Sequence, residues 1–251
     1  MEFNNKVVLI TGAGVGIGRA AAIMFAKSGA RVCINSLTPK NGEETLRKVK
    51  EYGECIYVQG DVSLDEDAKR IVKKTIDAFG RIDILVNNAG IVLPGRIDNT
   101  LEADWDRTMA VNLKGTYLVS KYVVLQMKKQ NGGTIVNNAS VAAVKGLKDR
   151  AAYTASKGGI ASLTKQMAAD YLTDHIRVNC VCPGTTETPS LMNRINAFSD
   201  AEKARQDFID RQPMKRLGTE DEIATAILFA ASDEAGFMNG SIIMIDGGMT
   251  I

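Results

Sequence analysis

Along this chain, short unbroken apolar runs alternate with longer stretches in which apolar residues recur every three or four positions. The runs are Lys6–Thr11, Ala30–Asn35, Cys55–Gln59, Ile82–Val86, Gly133–Asn138, Ile176–Cys182 and Ser241–Asp246. They are short and rich in Val and Ile, so each is expected to be a strand. The stretches Arg19–Ser28, Asn41–Tyr52, Asp65–Phe79, Asp104–Met127, Tyr153–Asp170 and Glu220–Ala231 carry helical periodicity. In the first, Ala22, Ile23, Phe25 and Ala26 mark the apolar face, and Asp65 stands where a helix cap is expected. Asn112 interrupts the longest stretch and faces inward if Trp105, Met109 and Leu113 do; a buried amide there needs partners. Pro189–Met214 is polar and partly helical, an insertion at about residues 189–214 containing Arg194, Arg205 and Arg211. Strand and helix alternate from end to end without linker or repeat. That pattern calls for one α/β domain over residues 1–251, a doubly wound, seven-stranded parallel sheet with helices on both faces.

In such a fold ligands bind at the carboxyl edge of the sheet, so the residues leaving each strand carry the candidate chemistry. The first strand runs at once into Gly12-Ala-Gly-Val15-Gly16-Ile17-Gly18 and then a helix. Strand, glycine-rich turn and helix in that order aim backbone N–H groups and a helix N-terminus at a pyrophosphate. The second strand ends where a carboxylate would hold the ribose of NAD. Here the residues are Asn35-Ser36-Leu37-Thr38-Pro39-Lys40, with Ser36 at that position and Lys40 the nearby cation. The fourth strand ends in Asn87-Asn88-Ala89-Gly90, small polar residues that leave room for a flat ligand.

Tyr153 and Lys157 stand four apart in a predicted helix, so their side chains share a face one turn apart. A phenol is a poor acid or base at neutral pH, and a fixed ammonium close by favours its ionised form. Such a pair makes a general acid/base without histidine, and this chain has a single histidine, His175. The preceding strand delivers Ser140 to the same end of the sheet.

Composition narrows the partners. Hydrophobic residues make up 45% and charged residues 24%, and the net charge of +2 gives no reason to expect nucleic acid or an anionic membrane surface. No apolar run approaches the ~20 residues of a membrane span, and Met1-Glu-Phe-Asn-Asn-Lys6 lacks a secretory pattern, so the cytoplasm is the expected location. Cys33, Cys55, Cys180 and Cys182 lie in or beside strand runs, none with CxxC spacing, and read as reduced, buried, small hydrophobes. With one histidine, a metal site is not expected.

Thr11-Gly12-x-x-x-Gly16-x-Gly18, Asn87-Asn-Ala-Gly90, Asn112, Ser140, Tyr153-x-x-x-Lys157 and Pro183-Gly184-x-x-x-Thr188 occur in an order and spacing that resembles the short-chain dehydrogenase/reductase family over essentially the whole chain. The resemblance implies a Rossmann-type fold and an NAD(P)-dependent oxidoreductase acting on a secondary alcohol or ketone. It implies that Tyr153 exchanges the proton with the substrate oxygen and that Ser140 hydrogen-bonds that oxygen. Lys157 would support Tyr153 and hold the nicotinamide ribose, and Asn112 would hold a water leading from Lys157 to solvent. Asp61 and Val62 resemble the adenine-binding pair, Asn88, Ala89 and Gly90 the wall beside the ribose, and Pro183, Gly184, Thr186 and Thr188 the nicotinamide contacts. A homotetramer built from the long helices and the last strand is implied as well.

Within the family, Val181-Cys-Pro-Gly-Thr-x-x-Thr-Pro-Ser-Leu-x-x-Arg194-Ile and Asp207-Phe-Ile-x-Arg211-Gln are similar to the cytosolic 3-hydroxybutyrate and 2-keto-3-deoxy-L-fuconate dehydrogenases. That similarity implies a small carboxylate-bearing substrate met by Arg194, Arg211 and Arg150. Those enzymes carry aspartate where Ser36 stands, so their NAD preference does not transfer. The absence of a carboxylate at 36 favours NADP, while the lack of an arginine at 37 and Val15 in place of a basic residue count against it, so the balance leans to NADP with NAD accommodated. The chain is also similar to the 3-oxoacyl-carrier-protein reductases, an alternative substrate class. A scaffold that binds dinucleotide without chemistry is the rival of another class; loss of Tyr153 or Lys157 would favour it, and both are present.

Overall fold

The computed structural model describes residues 1–251. The apolar runs become β1 (Val7–Ile10), β2 (Arg31–Ser36), β3 (Cys55–Gln59), β4 (Ile84–Asn87), β5 (Gly133–Asn138), β6 (Ile176–Pro183) and β7 (Ile242–Ile245). They form one seven-stranded sheet in the order β3-β2-β1-β4-β5-β6-β7, with every pair parallel. Val8 pairs with Val32 on one side and with Ile84 on the other, so the order reverses at β1. A crevice opens beyond the carboxyl ends of β1 and β4, at the switch point.

The strands are apolar on both faces because both are covered. On one face lie α1 (Gly16–Lys27), α2 (Pro39–Lys50) and α9 (Glu220–Ala231), whose Phe25, Val49 and Ile227 meet Ile34 and Val86. On the other lie α3 (Asp65–Phe79), α5 (Gly115–Lys129) and α6 (Ala151–Asp170), whose Ile71, Val123 and Met167 meet Leu85 and Ile135.

The stretch Asp104–Met127 is not one regular helix. It divides into α4 (Glu102–Met109), a π-helical turn at Ala110–Lys114, and α5. The extra residue of a π turn rotates the next helical segment about its axis, a device frequent at functional sites. Asn112 sits inside it, buried, while Met109 and Leu113 are only partly covered. Asp65 is not a cap: Leu64 holds that position with extended backbone, and Asp65 is the first residue of α3. Its carboxylate turns to α5, accepting a hydrogen bond from the Tyr122 hydroxyl at 2.7 Å and pairing with Lys121.

The insertion forms α7 (Pro189–Asn196) and α8 (Ala201–Asp210), capped by the side chains of Thr188 and Asp200. Leu191, Ile195, Ala204, Phe208 and Leu217 give it a small core of its own, apart from the sheet. Arg177 on β6 fastens the far end of α9. Its guanidinium donates to the carbonyls of Ala230, Ala231, Ser232, Ala235 and Met238 and to the Thr134 hydroxyl. No helix is long and apolar enough to cross a membrane.

Candidate active site

The glycine-rich turn is tied from below. Thr11 Oγ1 accepts from the backbone N–H groups of Asn88 and Ala89 at 3.0 and 3.1 Å. Asn88 Nδ2 donates to the carbonyls of Thr11 and Gly12, and its Oδ1 accepts from Asn138 Nδ2 at 2.9 Å. Gly12 has φ of 62°, and a Cβ added there would lie 2.6 Å from Ala89 Cα, so no side chain fits. Gly16, with φ of 65°, opens α1 and presents its amino end to the crevice. Ile17 is partly exposed there, while Val15 adopts extended backbone and caps the helix without a side-chain bond.

Ser36 closes β2 beneath this turn. Its hydroxyl donates to the Thr38 carbonyl at 3.2 Å, and a side chain at Gly14 would collide with it. Lys40 is exposed near the start of α2 and makes no hydrogen bond or ion pair. Asp61, after β3, accepts from the N–H and hydroxyl of Ser63 through one oxygen and from Arg107 on α4 through the other, at 3.0 Å. Burial opposes its ionisation, yet these donors hold the carboxyl below the ordinary carboxylate range. Nothing in the sequence pattern marks that arginine as part of the site. Val62 is buried against Gly115.

At the centre, Lys157 is 4% exposed and donates from Nζ to the Asn138 carbonyl at 2.9 Å. It stands 5.7 Å from the centre of the Tyr153 ring. Gly90 approaches so closely that an added Cβ would lie 3.5 Å from Lys157 Nζ and 3.3 Å from Asn112 Oδ1. The Asn112 amide accepts from Ile91 N–H, donates to Ile91 O, and donates to Ser156 Oγ, which in turn donates to the Tyr153 carbonyl. That accounts for the amide: it staples the β4 loop to the helix carrying Tyr153. Ser140 caps a short turn, its Oγ accepting from Ala142 N–H at 3.1 Å. Behind it lie Cys180 and Cys182, with sulfurs 3.8 Å apart. All four cysteines are free and buried, and burial pushes the Cys33 and Cys55 thiols up to about 12.

Beyond β6, Gly184 packs so tightly that an added Cβ would lie 2.8 Å from Asp246 Cα. Thr186 donates to the Gly184 carbonyl, and Thr188 caps α7 on the way into the insertion. Arg150 precedes α6, Arg194 rides on α7 and Arg211 follows α8. Burial lowers the proton affinity of Arg194, with further pressure from Arg150 and Arg211 and a partial offset from Tyr153. Arg150 is lowered by burial and Arg211, against Asp149 and Tyr153. Thus Arg150 and Arg194 both feel Arg211 and Tyr153. Arg211 and Arg194 also stack over Phe208, 4.5 and 6.0 Å from its ring centre. None of the three takes part in an ion pair, whereas Arg205 is spent on Glu187 at 2.9 Å.

A family model described as enoyl-(acyl carrier protein) reductase matches residues 12–250. An uncharacterized oxidoreductase of Thermotoga maritima is 56% identical over 251 residues, spanning 100% of this chain and 99% of that protein. Dehydrogenase/reductase SDR family member 6 of Aquarana catesbeiana is 42% identical over 251 residues, again 100% of this chain and 99% of the relative. A 3-oxoacyl-[acyl-carrier-protein] reductase of T. maritima is 39% identical over 253 residues, 100% of both chains. The crystal structure of levodione reductase superposes with a TM-score of 0.95 at 34% identity, covering 98% of each chain.

Proposed function

This chain belongs to the short-chain dehydrogenase/reductase family, and from that premise we propose that it is an NAD(P)-dependent oxidoreductase for a small hydroxy or keto acid. The observation that carries the substrate class is the set of three guanidiniums, Arg150, Arg194 and Arg211, near Tyr153, none of them in an ion pair and only Arg150 with a carboxylate, Asp149, acting on it. Partly desolvated cations repel one another, and an anion that joins them relieves that cost. A guanidinium grips a carboxylate through two parallel hydrogen bonds, which fixes orientation as well as adding affinity.

The chain fits a dinucleotide. Gly12 packs its backbone against Ala89, which fixes the turn, and Gly16 beyond it has no atom nearer than 3.7 Å to an added Cβ, leaving open the amino end of α1 for the diphosphate. Gly16, Ile17 and Gly18 would hold the diphosphate end, Asp61 and Val62 the adenine, Asn88 to Gly90 the ribose, and Pro183, Gly184, Thr186 and Thr188 the nicotinamide. Ser36, with no carboxylate to repel a 2′-phosphate, supports NADP with NAD tolerated. The bound nicotinamide supplies or accepts the hydride.

The protein's own work is proton transfer and placement. Tyr153 Oη gives a proton to the substrate oxygen in reduction and takes it back in oxidation. Ser140 Oγ hydrogen-bonds the same oxygen and steadies its developing charge. Lys157 keeps a positive charge beside Tyr153, held in place by the Asn138 carbonyl. Asn112 positions the helix of Tyr153 through Ser156 and would be the post for a water leading from Lys157 to solvent. Arg150, Arg194 and Arg211 aim the reacting carbon by holding the carboxylate at the far end of the substrate.

A cytoplasmic homotetramer completes the proposal. Support comes from the uncovered apolar groove between α4, α5 and α6, roughly 830 Å³ and lined by Met109, Leu113, Tyr117 and Leu163. Sedimentation mass is the check. The similarity to a 3-oxoacyl-[acyl-carrier-protein] reductase supports a second reading, a 3-oxoacyl thioester substrate, for which a neutral thioester leaves the arginines without a role.

A panel of hydroxy acids, sugar acids, neutral alcohols and 3-oxoacyl thioesters separates the readings. Arg194→Ala and Arg211→Ala should each cost ~1.5–3 kcal/mol in kcat/KM for acids and little for neutral alcohols. Equal losses for both classes would assign the arginines to support of the insertion. An absence of turnover with every acid would end the carboxylate reading.

A further inference from the structure

Glu220 is the first residue of α9, just past the Thr219 cap, and its side chain reaches the turn that opens α1. A Cβ built on Gly16 would lie 3.8 Å from Glu220 Oε1 and 3.7 Å from Thr188 Cβ. The carboxylate therefore stands at the amino end of α1, whose first turn holds no acidic residue and whose cap supplies no side-chain oxygen. Its side chain is partly buried and takes part in no hydrogen bond or ion pair. An unpaired carboxylate in that setting is a stand-in for the anion that a helix amino end attracts.

We propose that Glu220 sets the affinity and the pH dependence of dinucleotide binding, by holding a negative charge beside the position of the cofactor diphosphate. The inference rests on the dinucleotide reading given above and adds a residue to it. With the cofactor absent, the charge complements the helix dipole. When the diphosphate arrives, like charges meet across a few ångströms of partly desolvated space, and binding is weaker than the glycine cradle alone would give. Faster release follows, a useful property where departure of a product limits turnover.

The charged groups around Glu220 leave it free to act in this way. Arg19 on α1 is the facing cation, but it is committed to Glu44 on α2 and to the Gly14 carbonyl. Asp221 is its acidic neighbour on α9, and Glu222 is locked in a bidentate pair with Arg216. Thr188 at the start of α7 is neutral. Burial lifts the Glu220 carboxyl above its ordinary value, Arg19 pulls it down and Asp221 adds to the rise. A bound diphosphate pushes in the same upward direction. Protonation therefore removes the repulsion: binding tightens as pH falls through the Glu220 range and levels off above it.

Calorimetric titrations with ADP-ribose, which carries the diphosphate, and adenosine, which does not, provide the test. At about pH 8, Glu220→Gln should bind ADP-ribose about tenfold more tightly than wild type, the scale of one like-charge contact removed from a partly desolvated site. Its affinity should vary little with pH, and wild type should approach it as pH falls through the range of the raised Glu220 carboxyl. Adenosine should bind both proteins alike. Glu220→Ala should reproduce the gain, and thermal melting should show both variants folded. Unchanged or weaker ADP-ribose binding by both variants at about pH 8 would overturn the inference, as would an equal gain for adenosine. Failure of wild type to bind ADP-ribose at all would remove the dinucleotide reading itself; binding indifferent to Glu220 removes only this inference.

Discussion

The two sides of the cleft are made of different material. On the nucleotide side the contact surface is backbone, pressed close at Gly12 and Gly18 and cross-tied by Thr11 and Asn88. On the side proposed for the substrate stand three long side chains, one on α7 and one just past α8, helices that rest on a satellite core rather than on the sheet. Backbone recognition tolerates many residues so long as the glycines remain, and it reads a part common to all dinucleotides. Side-chain recognition can be rewritten one residue at a time without touching the sheet. A shared cofactor and a particular substrate follow from that division.

The widest gap to expect is between chemistry and binding on either side. Tyr153→Phe should lower turnover by a hundred- to about ten-thousandfold, the range for loss of a general acid, while NAD(P) affinity measured by calorimetry stays near wild type. Near-normal turnover would remove Tyr153 from the mechanism. Next comes stability. Gly12→Ala should lose about 2 kcal/mol or more in urea unfolding, because alanine is strained at that φ and its Cβ meets Ala89 backbone. Arg194→Ala, on the side-chain half, should lose less than about 1 kcal/mol. Similar losses for the two would erase the contrast between backbone and side-chain sides. The smallest effect belongs to cofactor choice. Ser36→Asp should shift the ratio of NADP to NAD dissociation constants towards NAD by about tenfold, through repulsion of the 2′-phosphate. An unchanged ratio would mean that position 36 does not read the ribose.

The nucleotide side is also the more legible in the sequence. Glycines at fixed offsets after a β-branched run leave few alternatives, and the strands fall within a residue or two of their expected bounds. Local periodicity by itself is a coarser guide. The π turn around Asn112 has no signature in hydrophobic spacing, since it is set by the contacts of its amide with Ile91 and Ser156. Asp65 has the composition of a cap, yet Tyr122 and Lys121 on another helix claim its carboxylate. Arg107 and Glu220 escape a sequence reading for a similar reason. Each reaches its site from a helix distant in sequence, Arg107 to Asp61 and Glu220 to Gly16, and no spacing rule connects them.

Arg177 carries a consequence for the order of events on the ribosome. Its guanidinium is satisfied by carbonyls that lie between Ala230 and Met238, all of them at the far end of α9 or just beyond. A nascent chain that stops short of those residues leaves this cation only the Thr134 hydroxyl and water, and burying it so poorly satisfied would be costly. The strand that leads into Pro183 and Gly184 therefore stays hydrated until nearly the whole polypeptide has emerged. Only then can β6 settle between β5 and β7 and complete the edge from which the insertion projects. The nucleotide half has its strands in hand much earlier, so an unfinished chain can have a place for a dinucleotide before it has one for a substrate.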